Sequence, residues 1–245
     1  MLARLSALRI ALSAVVVLAA GLASAADLAG GRMADDGMPF VPLFGWAGTH
    51  VGVNVGTAVA TGTPALACIG PVLCPAPPSI ARGRDGFSGG GQVGTTLQVG
   101  RLVGGLELDA QYADAGSGVA RPGFVASQDV GFVGTVRARF GLAADRFLVY
   151  ATGGLAYGDV STRSVLAVGG VAIATSRSRI EPGFAAGGGI EYGLADSVTI
   201  RAEALHYDLG RARLVTALPG AASVARIETS GVLARAGLNY KFNLF

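Results

Sequence analysis

Few residues of this chain have both the types and the spacing that catalysis or cofactor binding requires. Gly89, Gly91 and Gly94 match the glycine fingerprint of dinucleotide-binding sites. That fingerprint needs a strand before it and a helix after it, whereas here apolar and polar residues keep alternating beyond Gly94. The two histidines, His50 and His206, are too far apart for a recognisable metal motif. We therefore predict no catalytic residue, no metal site, no cofactor and no enzymatic activity.

Charged residues show a more informative pattern, because they fall on alternate positions of several segments. Successive side chains of a β-strand point to opposite faces, so charges at alternate positions share one face of a sheet. The set contains five acids and five bases: Glu107, Asp109, Glu181, Glu191 and Glu203 with Arg137, Arg139, Arg201, Arg235 and Lys241. Balanced charges of this kind either pair with one another away from water or line a water-filled space.

The segment from Gly231 to Phe242 shows the alternation most clearly. Every second residue from Val232 onward is apolar or aromatic, and the residues between are mostly small, polar or charged. A soluble strand over a core can have this pattern, and so can a transmembrane strand with lipid on one side. The recurrence of the pattern, its aromatic end and an export signal favour the transmembrane strand.

The first 25 residues have the parts of a secretory signal. Two arginines precede an uncharged apolar run from Ile10 to Leu22, and an A-x-A cleavage site follows. The run is shorter than the roughly 20 apolar residues of a membrane-spanning helix. We predict cleavage between Ala25 and Ala26, a periplasmic N-terminal segment over 26–43 and a barrel over 44–245.

The composition favours a barrel as well. The chain is 51% hydrophobic, yet no stretch after the signal approaches 18 uncharged apolar residues, as a spanning helix requires. Only helices and closed barrels can cross lipid, because every backbone polar group needs a partner there. The net charge of +3 comes with no basic cluster, so we predict no nucleic-acid partner. The many glycines are expected to make room for large side chains inside a narrow barrel.

Eight alternating segments predict eight strands. Short connections lie near Gly100, 142–146 and 194–197; long ones cover 59–85, 113–128, 159–179 and 210–226. Short periplasmic turns and long extracellular loops are typical of bacterial barrels. The predicted fold is therefore all-β: an eight-stranded antiparallel up-and-down transmembrane β-barrel. Parts of the last two loops look strand-like and are expected to be hairpin extensions; a ten-stranded barrel is the competing interpretation.

The alternation also assigns faces to individual residues. In the fourth segment, Val130, Phe132, Val136 and Phe140 are expected to face lipid. In the fifth, Tyr150 and Thr152 are expected to face inward. His206 is assigned to the lipid-facing side near the outer rim.

Several phrases of the mature chain resemble a known family of outer-membrane proteins. They are Phe44 to Gly48, Gly89 to Gly94, Tyr150 to Gly158, Gly187 to Tyr192, His206 to Gly210 and Arg235 to Phe242. They look like the alphaproteobacterial outer-membrane immunogenic-protein barrels, which are porin-like and of the OmpA/OmpX type. The resemblance implies a location in the outer membrane and a C-terminal assembly signal formed by Tyr240 and Phe242 or Phe245.

Cys68 and Cys74 are the only cysteines. An even number of cysteines in an exported chain makes a disulfide between them plausible.

The interior charges lead to the functional interpretation. Eight strands enclose a space that side chains just fill, and buried charges persist only when paired. We therefore predict a charge-filled lumen in a structural or surface protein of the envelope. A porin-like channel for small solutes or ions is the alternative, and loop-mediated binding of a ligand or host factor is a second one. The expected partners are outer-membrane lipid, lipopolysaccharide, the barrel-assembly machinery and host surface molecules, and the protein is expected to be a monomer.

Overall fold

A computed structural model describes residues 44–61, 64–69, 80–121, 124–168, 171–218 and 221–242. The strands in this part of the chain are β1 (Gly48–Ala60), β2 (Pro64–Ile69), β3 (Ile80–Arg84), β4 (Gly86–Val99), β5 (Leu102–Arg121), β6 (Phe124–Ala144), β7 (Phe147–Val168), β8 (Val171–Ala195), β9 (Val198–Leu218) and β10 (Ala221–Phe242). None of the described residues belongs to a helix long and apolar enough to cross a membrane.

Eight of these strands close into a barrel. Strands β4 to β10 each pair antiparallel with their neighbours in sequence, and β1 pairs with both β4 and β10. The short strands β2 and β3 lie outside this ring, since β2 pairs with β10 and β3 pairs with β5. The predicted eight-stranded antiparallel barrel is confirmed, and the ten-stranded alternative is wrong.

The two ends of the barrel differ, as the pattern of connections predicted. Two-residue turns at Gly100–Arg101, Asp145–Arg146 and Asp196–Ser197 join strands at one end. Gly100 and Asp145 adopt positive φ angles of 60° and 51°, a left-handed conformation that glycine and aspartate tolerate best in tight turns.

At the other end, strand pairing continues past the barrel into hairpin extensions. The outermost described pairs are Arg121 with Phe124, Val168 with Val171, and Leu218 with Ala221. The extensions predicted in the last two loops are confirmed. Of the predicted loop 113–128, residues 113–121 belong to β5 and residues 124–128 to β6, and these two strands pair with each other.

The outward face of the barrel is apolar around its circumference. Val53, Phe140 and Leu155 are 64%, 70% and 69% exposed, although they are large hydrophobic side chains. Such exposure would be unfavourable in water and is the expected state of side chains that face lipid.

One residue lies on the face opposite to its prediction. Val130 was expected to face lipid, but it is 4% exposed and packs inside the barrel. A β-bulge interrupts the pairing of β6 with β7 between Val130 and Phe132. Because a bulge inserts one extra residue, it moves all residues beyond it to the other face.

The interior is divided into three layers. One apolar layer lies next to the short turns: Phe44, Trp46, Val103, Ala143, Leu148 and Tyr150. A second lies toward the hairpin extensions and includes Val133, Leu205, Tyr207, Leu209 and Leu233. Inward-facing positions between these layers on the same strands carry polar and charged side chains. We call these the lower apolar layer, the upper apolar layer and the polar layer.

Candidate functional site: a closed charge cluster in the lumen

Eight charged side chains form the centre of the polar layer, and we call them the lumen charge cluster. They are Glu107, Asp109, Arg137, Arg139, Glu191, Arg201, Glu203 and Arg235, and each is at most 5% exposed. Strand register brings opposite charges together, because Glu107 faces Arg137, Glu191 faces Arg201 and Glu203 faces Arg235 across neighbouring strands. Opposite charges at directly paired positions stabilise a sheet.

Glu107 is the acceptor that connects most of the cluster. Its Oε1 accepts a hydrogen bond from Arg137 Nη2 at 2.7 Å. Its Oε2 accepts one from Arg201 Nη1 at 2.5 Å and a longer one from Arg139 Nη1 at 3.4 Å. His50 Nε2 lies 3.3 Å from the same oxygen. This carboxylate of β5 therefore links side chains from three other strands, β1, β6 and β9, across the lumen.

Asp109 and Glu203 share two arginines. Arg235 donates to Glu203 Oε1 from Nη2 at 2.5 Å and from Nε at 2.9 Å, and its Nη1 is 3.3 Å from Asp109 Oδ1. Arg137 donates to Asp109 at 2.7 Å and to Glu203 at 3.2 Å. Each carboxylate is thus held by two guanidinium groups, an arrangement that compensates the cost of burying charge.

Glu191 and Arg139 form the part of the cluster nearest the turns. Arg139 Nη2 donates to Glu191 Oε2 at 2.6 Å. Thr199 Oγ1 and Asn239 Nδ2 donate to the other carboxylate oxygen at 2.5 and 2.9 Å. The guanidinium of Arg139 lies 4.1 Å from the centre of the Tyr150 ring. Polar and aromatic partners therefore surround this ion pair on both sides.

Neutral amides extend the polar layer beside the charges. Asn54 Nδ2 donates to Gln92 Oε1 at 2.5 Å, and Gln92 Nε2 donates to Asn239 Oδ1 at 2.7 Å. Gln111 donates to Asn54 Oδ1. The alternation with the valines of β1 placed Asn54 on the inward face, whereas His50 was not predicted to be an interior residue. The alternation in β1 indicates their positions: Val51, Val53 and Val55 face lipid, so the residues at the alternate positions face inward.

Glycines provide the space that these interior side chains occupy. A Cβ atom at Gly94 would lie 2.7 Å from Cε1 of His50, and one at Gly189 would lie 2.7 Å from the Tyr150 hydroxyl. Both distances are shorter than van der Waals contact allows. Tyr150 and Thr152 both face inward, and the Tyr150 hydroxyl donates to Glu203 Oε2 at 2.9 Å.

The segment before β1 closes the end of the lumen next to the turns. Phe44 and Trp46 are 1% and 4% exposed, and their rings meet edge to face at 4.8 Å. Trp46 Nε1 donates to the carbonyl of Asp145 at 3.0 Å, and Thr96 Oγ1 donates to the carbonyl of Trp46 at 2.5 Å. These bonds anchor the segment to two different strand ends, so the aromatic rings stay across the opening.

Two members of the predicted charge set lie away from the cluster. Glu181 is in the extension of β8, where its carboxylate is 4.0 Å from Arg179. Lys241 donates to the carbonyl of Gly45 and lies 4.3 Å from the centre of the Phe44 ring. Both have the inward parity, but Glu181 lies beyond Phe184, where β8 stops pairing with β9, and Lys241 lies next to the turns. Alternation therefore located their face and not their height.

Other predicted sites fall partly or wholly outside the described residues. The cleavage site at Ala25 and Ala26, Cys74 and Phe245 all lie outside them, so the cleavage and the disulfide with Cys68 stay predictions. Tyr240 and Phe242 end β10 with ring centres 6.5 Å apart, and their role as an assembly signal stays a prediction too. His206 is on the outward face, with its ring centre 6.3 Å from that of Phe184.

Comparison with known families decides the class of this barrel. A family model described as an outer membrane protein β-barrel domain matches residues 13–242. The chain belongs to this family. It is an outer-membrane β-barrel of the Gram-negative type.

Relatives of this outer-membrane barrel include proteins that are named outer-membrane immunogenic proteins. The 31 kDa outer-membrane immunogenic protein of Brucella melitensis biotype 1 is 31% identical over 94% of this chain and 98% of its own length. The 25 kDa outer-membrane immunogenic protein of Brucella abortus biovar 1 is 26% identical over 82% and 81%. Among solved structures, the outer membrane protein OprG of Pseudomonas aeruginosa superposes with a TM-score of 0.55. It covers 80% of this chain and 97% of its own at 14% identity, so it shares the fold.

Proposed function

We propose that this protein is a structural and surface component of the outer membrane whose lumen is closed to solutes. The observation that supports this proposal best is the order of the three layers along the barrel interior. A route through the barrel would have to cross the lower apolar layer, the lumen charge cluster and the upper apolar layer. Apolar constrictions in narrow pores exclude water and ions. The charged side chains of the cluster are bonded to one another, so they cannot replace the hydration shell of a passing ion.

The proposed role depends on the outward face of the barrel and on the hairpin extensions. The outward apolar face integrates into the membrane, and the hairpin extensions carry polar residues above it. Arg163 is exposed on the β7–β8 hairpin, where it can meet anionic lipid, polysaccharide or host molecules. Two relatives are named as immunogenic, which agrees with an exposed surface. We also propose that the protein acts as a monomer and is inserted by the barrel-assembly machinery.

A catalytic role is not part of the proposal. The carboxylates of the cluster lie between the lower and the upper apolar layer, and arginine side chains hold each of them. Catalysis requires a group that can reach a substrate. These groups are engaged with one another and are at most 5% exposed.

Conductance in planar lipid bilayers tests the closed lumen. We expect the refolded wild-type protein to show no steady conductance, in membranes where a general porin added afterwards gives normal channels. A variant with both Phe44→Ala and Trp46→Ala should also be silent, because the charge cluster and the upper apolar layer remain in place. Heat-dependent migration on a gel, compact before boiling and slower after it, checks that each sample is folded.

Two results would contradict the proposed closure of the lumen by three layers. Stable, ion-selective steps from wild-type protein would replace it with the porin-like channel. Steps from the Phe44 and Trp46 variant alone would mean that the segment before β1 is the only barrier, and that the central layers conduct.

A further inference from the structure

The outward face of the barrel carries a groove near the hairpin extensions. Its volume is about 370 Å3, and it runs across strands β4 to β8. The floor consists of small residues, among them Gly89, Ala110 and Gly131, and the walls include Phe132, Tyr157 and Ile180. A volume in the range of roughly 300–1,000 Å3 is typical of sites for small organic ligands.

The groove arises from local sequence and strand geometry. The bulge in β6 leaves Gly131 between the paired residues Val130 and Phe132. The Tyr157 ring lies over Gly134, where a Cβ atom would clash with it, and the rings of Tyr157 and Phe132 are 6.1 Å apart. Aromatic side chains thus stand beside a strip of wall that has almost no side chains.

Polar groups lie directly above the groove on the same outward face. Along β7, Tyr157, Asp159, Ser161 and Arg163 occupy alternate positions and therefore point the same way. Ser161 Oγ donates to Ser178 Oγ at 3.3 Å, and Ser178 Oγ donates to Asp159 Oδ1 at 2.8 Å. This pairing leaves acceptor capacity on the Asp159 carboxylate for a hydroxyl group.

Arg163 completes the series. It lies four residues beyond Asp159, which is about 13 Å along an extended strand, and it is exposed. Within the described part of the chain, no carboxylate forms an ion pair with it. An apolar groove, a hydrogen-bonding carboxylate and a free guanidinium therefore follow one another away from the membrane.

We propose that this face binds a phosphorylated glycolipid of the outer leaflet. An acyl chain lies in the groove, a sugar hydroxyl donates to Asp159, and Arg163 pairs with the phosphate, for which the planar guanidinium is well suited. This inference rests on the orientation in the proposed function, with the hairpin extensions outside the cell. Aromatic rings at the membrane interface occur in most membrane barrels. Those rings alone do not require a glycine-rich groove, or a serine hydroxyl bonded to a carboxylate above it, as Ser178 is to Asp159.

Native mass spectrometry of the folded barrel tests the site. The probe is a diphosphorylated, hexa-acylated glucosamine disaccharide, titrated against phosphatidylethanolamine of the same chain length. We expect saturable binding of one glycolipid and weaker, non-saturating binding of the phospholipid. Arg163→Ala should raise the glycolipid Kd about fivefold, as expected for one arginine near an anionic headgroup. Ala110→Phe fills the groove and, by displacing a few methylene groups, should raise the Kd roughly tenfold or more.

Matched variants separate this site from general contact with lipid. Arg177→Ala removes a cation from the inward-facing side of the same hairpin, and Ala204→Phe adds an aromatic ring to the outward face of β9. Both should leave the Kd unchanged. Unaltered binding in Arg163→Ala and Ala110→Phe, or equal affinity for both lipids, would overturn the proposal. Because conductance does not depend on this groove, that failure would leave the closed lumen untouched.

Discussion

Replacing Arg235 with alanine is expected to lower the free energy of unfolding of the barrel by about 3–5 kcal/mol, the usual cost of removing one partner from a buried ion pair. Arg235 is 4% exposed and is a principal partner of both Glu203 and Asp109. Without it, these two carboxylates depend on Arg137, which also donates to Glu107. The apolar layers on both sides keep bulk water from solvating the unpaired negative charge.

Urea titration of the refolded protein, followed by tryptophan fluorescence, measures this loss. Arg179→Ala is the matched control, since Arg179 is 59% exposed and its carboxylate partner is 4.0 Å away. Exposed pairs contribute about 0–1 kcal/mol. Adding Glu203→Gln to Arg235→Ala should recover part of the loss, because it removes one uncompensated charge. If Arg235→Ala costs no more than Arg179→Ala, the cluster is solvated and the channel interpretation gains support.

Alternation along the strands predicted much of this cluster from the sequence. Parity assigns Glu107, Arg137 and Arg235 to the inside because lipid tolerates only apolar side chains on the other face. Short turns then fix the register, so residues at similar distances from a turn become neighbours. For this reason the face and the sign balance of the charges could be predicted, although the heights of Glu181 and Lys241 could not.

The pairing within the cluster could not be predicted in the same way. The alternation placed Arg201 and Glu203 on the inward face but did not assign their partners. In the structure Arg201 donates to Glu107, which lies across the lumen, whereas Glu203 is held by Arg235 and Arg137. Contacts across a barrel depend on its diameter and on the length of each side chain, and no pattern along one strand contains that information.

The closing layers were missed for a related reason. Leu205 and Tyr207 have inward parity, yet they are apolar, so a rule that places polar residues inside a barrel overlooks them. The first strand was predicted to begin near Phe44, but β1 begins at Gly48, so strand alternation does not fix where Phe44 and Trp46 lie. Their position depends on hydrogen bonds to Asp145 and Thr96, which come from distant parts of the chain.

Leu106→Arg is expected to destabilise the protein by about 2–4 kcal/mol in a lipid bilayer, the cost of a cation on the lipid face near the membrane midplane. Leu106 is 41% exposed on the outward face. It pairs with Thr95 and Ala138 and precedes Glu107, so it is at the height of the charge cluster. Chemical unfolding from phospholipid vesicles measures the loss of stability.

Val125→Arg provides the comparison that makes this result specific to the membrane. Val125 is 49% exposed and also faces outward, but it lies in the extension of β6, beyond the bulge and close to the β5–β6 hairpin end. Water can solvate an arginine there, so the expected change is within about 0.5 kcal/mol, as for other surface substitutions. Equal losses at both positions would mean that lipid covers the extension as well. No loss at either would place Leu106 in contact with water and reverse the assignment of the two faces.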